Sequence, residues 1–320
     1  MDFLRLPFFD AIRDARTVLL AGTGGGFDIY SAVPLYVGLR AAGKTVHLAN
    51  LSFTALDEIS GCSPGEILVT VTHESRGPRY FPELHLCRWL NEMRGEQVPI
   101  HCIARTGVAL VRLAYQKLAK QLGDVDALIL VDGGTDSLMR GDEAGLGTPE
   151  EDVASLCAAS ELEHISTKLL VCLGFGVDFF HGVCHAQFLE AVADLTQQGA
   201  FLGAWSVTPE MPEAIAYRDA VEWGRRGMPE HPSIVCSSIS SAIAGRFGDH
   251  HTTKRTQGSR LFVNPLMTLY WAFQLQEVVR RNLYLHKLRD LKSYQEVSAA
   301  IEMFRYQIQD KIKKWEELPM

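Results

Sequence analysis

The chain has 320 residues, of which 47% are hydrophobic and 22% are charged, and its net charge is −7. This composition is typical of a globular protein, and the acidic balance argues against a nucleic acid or an anionic membrane as the main partner. No apolar run reaches the roughly 18 residues of a membrane span, and no basic segment precedes an apolar one as in a signal peptide. The seven scattered cysteines include no CxxC pair and indicate a reducing compartment, so we expect a cytoplasmic protein.

Short apolar runs alternate with helical patterns along most of the chain. Continuous apolar runs without strict alternation are typical of strands that are covered on both faces. The pattern therefore predicts an α/β protein with a Rossmann-like, doubly wound and mostly parallel sheet. The predicted strands are 17–22, 45–51, 66–72, 99–104, 127–132, 168–174, 200–207 and 233–238, and the predicted helices are 28–42, 82–95, 107–121, 149–159, 182–198 and 211–226.

The pattern changes near residue 267, where two long amphipathic stretches cover 266–288 and 291–315. We expect a helical hairpin that packs on the sheet or on a second subunit and thus allows a homo-oligomer. No repeat or linker interrupts the chain. The sequence therefore predicts one α/β domain over 1–320, with a Rossmann-like core over 1–265 and a C-terminal helical extension over 266–320.

Residues 38–45, GLRAAGKT, match the phosphate-loop pattern G-x-x-x-x-G-K-[ST]. A working phosphate loop runs from a strand into a helix, so that backbone N–H groups at the helix start face the phosphates. Here the match ends a predicted helix and leads into a strand. Gly43 is explained as the residue that terminates the helix, and we interpret the match as a coincidence.

A glycine-rich loop with the correct strand-loop-helix context occurs earlier, in TVLLAGTGGGFDIYSA. Ligands of parallel sheets bind at the carboxyl ends of the strands, and a helix start favours anions. Phe27 replaces the third glycine of the dinucleotide fingerprint, which argues against a NAD dehydrogenase. The loop either only turns the chain or holds a ligand group; in the second case the substrate-binding residues are Gly22, Gly24, Gly25, Gly26 and Asp28.

An acidic loop follows the predicted strand ALILVD, in VDGGTDSLMRGDEAGLGTPEED. Carboxylates at the end of a buried strand repel one another unless a cation, an arginine or shared protons compensate. Carboxylate oxygens on a glycine-rich loop are the ligands that Mg²⁺, Mn²⁺ or Ca²⁺ prefers. We therefore predict a divalent cation here, with Asp132 and Asp136 as metal ligands and catalytic groups. Asp142 and Glu143 alternatively serve only the turns of the loop, and 148–151 form a capping box for the next helix.

Polar residues after other predicted strands are expected in the same crevice. Glu74 and Arg76 follow the third strand, as a substrate-binding and a catalytic residue. Asp178 and His181 follow the sixth, as a further metal ligand and a proton-transfer group, and His185 lies four residues on, on the same expected helix face. Arg255 lies in a polar loop bracketed by glycines, which either closes over an anionic substrate or is a solvated excursion.

Three segments resemble a family catalogued as domain of unknown function eleven fifty-two. They are AGTGGGFDI, RTGV…AY and the long aspartate motif VDGGTDSLMRGDEAGLGTPEED, and the resemblance covers most of the chain through residue 270. DGGTDSLMRGD is also similar to the DGG-acid-glycine loop of the D-glutamate cyclase family. Asp136 matches the acidic position and Arg140 replaces a glycine. This second resemblance implies a metal-assisted enzyme that acts on a small amino acid or carboxylate.

The leading hypothesis is an enzyme that hydrolyses, cyclises or eliminates a small anionic or polar metabolite. Burying so many polar groups at one sheet edge without partners would cost several kcal/mol, about 1–3 for each group, so a ligand is expected there. The second hypothesis is a nucleotide- or metabolite-binding module without chemistry. The third is an interaction protein that assembles through its C-terminal helices.

Overall fold

The computed structural model describes residues 5–259 and 261–318. Its centre is an eight-stranded sheet in which five neighbouring strands are parallel, and this confirms the predicted Rossmann-like α/β fold. The strands are β1 (Thr17–Gly22), β2 (Thr45–Ser52), β3 (Leu68–Val71), β4 (Ile100–Ala104), β5 (Ala127–Asp132), β6 (Thr167–Leu173), β7 (Phe201–Ser206), β8 (Gly248–Asp249), β9 (Phe262–Val263) and β10 (Leu269–Gln274). The order in the sheet is β3-β4-β2-β1-β5-β6-β10-β7, and β8 pairs with β9 separately.

Helices cover both faces of this sheet. Along β1, Val18 and Leu20 pack into one hydrophobic cluster, whereas Leu19 and Ala21 pack into the other. This division explains the continuous apolar strands, because each face meets its own helices. The helices are α1 (Pro7–Ala11), α2 (Asp28–Ser31), α3 (Val33–Ala41), α4 (Pro82–Arg94), α5 (Val108–Leu122), α6 (Pro149–Ser160), α7 (His185–Gln197), α8 (Pro212–Gly227), α9 (Ile234–Ile243), α10 (Leu275–Arg281) and α11 (Tyr294–Gln307).

Two predicted elements have the wrong type. The predicted strand 233–238 lies in α9, whose start is capped by the Ser233 hydroxyl, which accepts a hydrogen bond of 3.1 Å from the Cys236 amide. The predicted helix 266–288 begins instead as β10, an antiparallel strand between β6 and β7. Tyr270 and Phe273 are buried on opposite faces of the sheet, so the apolar run satisfies a central strand as well as a helix. The helical part begins only at Leu275.

The phosphate-loop match has a structural role. Gly43 follows the end of α3 with φ of +79°, in the left-handed region that suits a helix terminus. The Lys44 ammonium donates hydrogen bonds of 2.9 Å to the carbonyl oxygens of Ile12 and Arg13, just after α1. This confirms that Lys44 lies at the amino ends of the parallel strands, far from a strand-end crevice.

The strand order changes direction at β1, which lies between β2 and β5. The chain leaves β1 toward α2 and leaves β5 toward α6, so a crevice opens at the carboxyl ends of these two strands. β3 runs antiparallel to β4, so the carboxyl end of β3 lies beside the amino ends of the parallel strands. Among the described residues, no helix is both long enough and apolar enough to span a membrane.

Candidate functional site

A cavity of about 550 Å³ opens at the carboxyl ends of β1 and β5. Its polar lining is dominated by carboxylates from the loops after these strands and from the start of α6. Aromatic and cationic side chains also line it. The lining includes Asp28, Asp132, Asp136, Asp152, Asp178, His181, Phe53, Tyr80, Tyr294, Arg105, Arg255 and His231.

Three of the carboxylates form a compact cluster. Asp132 ends β5, Asp28 begins α2, and Asp152 lies in the first turn of α6. Each contributes one carboxylate oxygen, and these three oxygens lie within 4.8 Å of one another. Three elements that are distant in sequence therefore bring three acidic groups to one point.

The local hydrogen bonds fix the orientation of the cluster. Oδ2 of Asp28 accepts a bond of 2.6 Å from the Gly24 amide, and Oδ2 of Asp132 accepts one of 2.5 Å from the Ser137 hydroxyl. Asp152 is 1% exposed, and its Oδ1 has no hydrogen-bond partner among the described residues. A buried carboxylate oxygen without a donor costs free energy, so this atom is suited to a ligand.

Two further carboxylates lie beside the cluster. Oδ2 of Asp136 accepts a bond of 2.8 Å from the Thr148 amide, and Oδ2 of Asp178 accepts one of 2.5 Å from the Thr135 amide. The Nδ1 atom of His181 lies 4.0 Å from Oδ1 of Asp178. In the described part of the chain, His181 is the one basic side chain that forms an ion pair with any of the five aspartates.

Burial and mutual repulsion raise the proton affinity of these carboxylates. Desolvation, followed by the charges of neighbouring aspartates, raises the pKa values of Asp132 and Asp152 well above their ordinary range. Desolvation likewise raises the pKa of Asp28, and it raises that of Asp136 to about 7, with Asp178 adding to the shift. Burial and repulsion thus favour the protonated form of these carboxyl groups when no cation is near.

Glycines in the surrounding loops make room for these carboxylates. A Cβ atom at Gly24 would lie 2.8 Å from Oδ1 of Asp152 and 2.9 Å from Oδ2 of Asp28. A Cβ atom at Gly133 would lie 2.9 Å from Oδ1 of Asp28. The glycine-rich loop after β1 therefore does more than turn the chain, because it allows the acidic groups to converge.

Cationic side chains lie at the rim of the cavity. The Arg105 guanidinium lies 5.1 Å from the ring centre of Phe53 and 4.8 Å from that of Tyr294. It also forms an ion pair of 3.5 Å with Glu151. Stacking between two rings orients a guanidinium and leaves its edge available for an anion. Arg255 lines the same cavity, and its Nη1 donates a hydrogen bond of 2.9 Å to the carbonyl oxygen of Pro232.

Comparison with known protein families identifies the family of this chain. A family model described as protein of unknown function (DUF1152) matches residues 19–307. The chain belongs to this family. No curated protein and no solved structure matches the chain significantly. The D-glutamate cyclase resemblance therefore stays a prediction.

Several sequence-predicted site residues of this DUF1152 chain line the cavity. They are Asp28, Asp132, Asp136, Asp178, His181, Gly24, Gly25, Gly26 and Arg255. Gly22 is not part of the lining; it lies in β1 beside Asn50, and a Cβ atom there would be only 2.0 Å from Oδ1 of Asn50. Its role is to make room for Asn50 rather than to contact a substrate.

Glu74 and Arg76 lie outside this cavity, contrary to the sequence-based expectation. Because β3 is antiparallel, the chain leaves it beside the amino ends of the parallel strands, and the loop 72–81 then returns toward the acidic cavity, where Tyr80 lies in the lining. The Glu74 side chain is 83% exposed. Arg76 is exposed and lines a separate cavity, which is described below.

The acidic loop divides into two parts with different roles. Asp142 forms a bidentate pair with Arg140, at 2.7 and 2.8 Å, and Glu143 accepts hydrogen bonds from the Arg140 and Gly141 amides. These two residues serve the loop itself, which is one of the alternatives that the sequence left open.

His185 faces a different cavity, where its ring stacks on the ring of Phe179 at a centroid distance of 5.5 Å.

Sequence reasoning missed two groups of the DUF1152 site. The sequence predicts a capping box at residues 148–151. In the structure the Thr148 hydroxyl instead donates a bond of 3.2 Å to Asp136, and no side chain caps α6. The adjacent Asp152, which completes the cluster, was left out. Arg105 was noticed only within a resembling segment. An extra acidic residue in a first helical turn that directly follows the aspartate motif was the available signal for Asp152.

Asn50 supports the glycine loop from below and allows a stability prediction. Its Nδ2 donates bonds of 2.9 Å to the carbonyl oxygen of Gly26, which lines the cavity, and 2.8 Å to Oε1 of the buried Glu83. We expect Asn50→Ala to lower the free energy of unfolding by about 2–4 kcal/mol, because two buried acceptors lose their donor. Urea unfolding measures this. The half-buried Asn91 on α4 provides the control, since Asn91→Ala should cost less than about 0.5 kcal/mol; equal losses would contradict the prediction.

Proposed function

We propose that the protein is a metal-dependent enzyme that hydrolyses, cyclises or eliminates a small anionic or polar metabolite. The observation that carries the proposal is the convergence of Asp28, Asp132 and Asp152 within 4.8 Å in a cavity of about 550 Å³. No arginine or lysine among the described residues forms an ion pair with any of these three. Such an arrangement is stable at neutral pH only with bound protons or a bound cation.

The donor set fits a divalent cation that prefers oxygen ligands. Carboxylates alone, without cysteine or histidine in the cluster, favour Mg²⁺, Mn²⁺ or Ca²⁺ over zinc. The partnerless Oδ1 of Asp152 and one carboxylate oxygen each of Asp28 and Asp132 would hold the ion. Asp136 and Asp178, which we expected to be ligands, lie beside the group of three whose oxygens meet within 4.8 Å, and they are suited to orient ligands or bound water.

The surrounding residues support a division of chemical roles. A bound cation would polarise a carboxyl, carbonyl or phosphoryl oxygen of the substrate. His181 is suited to move a proton, because the carboxylate of Asp178 beside it raises its pKa. Asp136, with a pKa of about 7, is a second proton-transfer group near neutral pH. Arg255 and Arg105 at the rim are suited to bind the anionic part of the substrate.

The aromatic rim favours a second candidate function. Phe53, Tyr80 and Tyr294 line the cavity, and such rings stack on the flat bases of nucleotides. The alternative is therefore a nucleotide- or metabolite-binding module without chemistry. Prolonged incubation with metal separates the two functions, since a binding module would return its ligand intact.

Turnover provides the test of the proposed enzyme. The protein would be incubated with Mg²⁺, Mn²⁺ or Ca²⁺ and a defined mixture of amino acids, carboxylic acids and phosphate esters, and consumption followed by mass spectrometry. We expect metal-dependent consumption that Asp152→Asn lowers by about a hundredfold or more, because the ion loses a charged ligand. Asp142→Asn is the matched control and should retain activity, since Asp142 pairs with Arg140 outside the cavity. Equal loss in both variants, or turnover without metal, would contradict the proposal.

The cellular context and assembly are part of the proposal. The seven cysteines are free, six of them buried, which supports a reducing, cytoplasmic compartment. In α11, Val297 and Ile301 pack into the core, whereas Met303 and Tyr306 are exposed. Self-association through the C-terminal helices stays a prediction that rests on those exposed side chains.

A further inference from the structure

A second cavity of about 520 Å³ lies next to the acidic one. His231 lines both cavities, and Tyr80 of the acidic cavity packs edge-to-face on the His231 ring at 5.5 Å. The neighbouring residue Arg79 lines the second cavity. The two cavities are thus separated by little more than one histidine and one tyrosine.

The lining of the second cavity is strongly basic. Its charged residues are Arg76, Arg79 and Arg88 against a single carboxylate, Glu230. Three positive charges and one negative charge leave a formal excess of two positive charges. This composition is the opposite of the acidic cavity next to it, and we refer to this space as the basic cavity.

The positive charge in the basic cavity is not neutralised within the protein. The side chains of Arg76 and Arg79 form no hydrogen bond or ion pair with any described residue. Arg88 reaches only carbonyl oxygens, those of His73 and Ser75, each at 3.4 Å. Guanidinium groups gathered in a concave site without carboxylate partners repel one another unless an anion is bound.

A histidine and a glycine also line the basic cavity, at the point where α4 meets the end of α8. His85 is half-buried beside Gly227, where a Cβ atom would lie only 2.2 Å from Nδ1. Gly227 therefore allows the imidazole to lie between α4 and the end of α8. Desolvation and the charge of Arg88 lower the pKa of His85.

We propose that the basic cavity binds a phosphoryl group, and that the substrate of the acidic cavity carries this group. A phosphate monoester has a charge of about −1.5 to −2 at neutral pH, which matches the excess of two positive charges, and guanidinium groups bind its oxygens in pairs. The substrate would span His231, with its phosphoryl group among the arginines and its reacting part at the carboxylates. The second statement rests on the proposed function, whereas phosphate binding in the basic cavity does not.

Calorimetric titration of the metal-free protein with inorganic phosphate tests the site itself. We expect the double variant Arg76→Gln/Arg79→Gln to weaken phosphate binding by about tenfold or more, since two charge-assisted contacts are lost. The matched control is Arg13→Gln/Arg40→Gln, which removes two exposed arginines that line neither cavity and should leave the affinity unchanged. Absence of phosphate binding to the wild type, or loss in the control variant alone, would overturn the proposal.

Phosphorus-31 relaxation in the presence of Mn²⁺ tests the link between the two cavities. Paramagnetic Mn²⁺ at the aspartates should accelerate the relaxation of phosphate bound nearby, and the Asp132→Asn variant should lose this effect while still binding phosphate. Phosphate that binds without any relaxation effect, although Mn²⁺ is bound, would overturn the shared substrate. Phosphate binding in a protein that binds no Mn²⁺ would confirm the anion site and contradict the proposed metal enzyme instead.

Discussion

We expect Mn²⁺, at about 100 times its dissociation constant, to stabilise the folded protein by about 2.7 kcal/mol. For a chain of 320 residues this corresponds to a rise in melting temperature of about 4 °C. The physical reason is that the ion binds Asp28, Asp132 and Asp152 only when the fold brings their oxygens together. In the unfolded chain these residues are separated by long stretches of sequence. Differential scanning fluorimetry with Mg²⁺, Mn²⁺ and Ca²⁺ measures the shift.

Matched variants assign the stabilisation to particular carboxylates. Asp132→Asn and Asp152→Asn should abolish most of the shift, because each removes a charge from the cluster. Asp142→Asn should keep the full shift, although Asp142 lies in the same acidic loop, because its carboxylate is paired with Arg140. A wild-type protein that shows no shift with any of the three ions would contradict the metal site. A shift that survives in both cluster variants would place the ion elsewhere.

The second large effect is a pH-dependent gain of stability in Asp136→Asn. The pKa of Asp136 is raised to about 7 in the folded protein, so the folded chain binds this proton more tightly than the unfolded chain. The resulting stabilisation is complete below about pH 4 and is lost as the pH rises through 7. At pH 8 the metal-free wild type therefore has a repelling charge that the asparagine variant lacks. We expect the variant to be more stable by about 1–4 kcal/mol at pH 8 and equally stable near pH 4.

Urea unfolding at pH 4, 6 and 8 without metal gives this difference directly. Asp142→Asn provides a control for which the expected change in stability at pH 8 has the opposite sign. Burial raises the pKa of Asp142, but its hydrogen bonds from Arg140 outweigh that effect and lower the pKa overall. Its substitution should therefore destabilise the protein at pH 8. An Asp136→Asn variant that is less stable than the wild type at pH 8 would show that Asp136 is not a repelled charge in the metal-free protein.

Bound metal should reduce the difference in unfolding free energy between Asp136→Asn and the wild type at pH 8. When a cation binds the neighbouring cluster, it stabilises the ionised form of Asp136 and lowers the cost of that charge. The advantage of Asp136→Asn at pH 8 should then shrink or change sign with saturating Mn²⁺. This comparison connects the two predictions, because the charge of Asp136 lies beside the carboxylates that are proposed to ligate the ion.

The DUF1152 sequence predicted the α/β class and most of the elements because their signals are local. Continuous apolar runs indicated strands buried on both faces, and β1, β2, β4, β5 and β6 are such strands. The same kind of signal was ambiguous at Leu269–Gln274, where aromatic residues suit both a helix and a central strand. The segment forms a strand because it fills the position between β6 and β7 and pairs with both of them.

For the site, the sequence determined which residue types would meet at the carboxyl ends of parallel strands. That argument could find Asp28, Asp132 and Asp136, because each lies at the end of a predicted strand or shortly after one. The sequence placed Asp152 in a first helical turn after the aspartate motif, but the tertiary structure decided that it completes the cluster, since its helix must pack beside β5 before its carboxylate reaches Asp28. Tertiary structure also placed Arg76 in the basic cavity next to the acidic one, because β3 runs antiparallel and the loop after it packs near α4 and the end of α8. Hydrophobic patterns specify which residues are buried, whereas the direction of β3 follows from hydrogen bonds to β4, which no local pattern records.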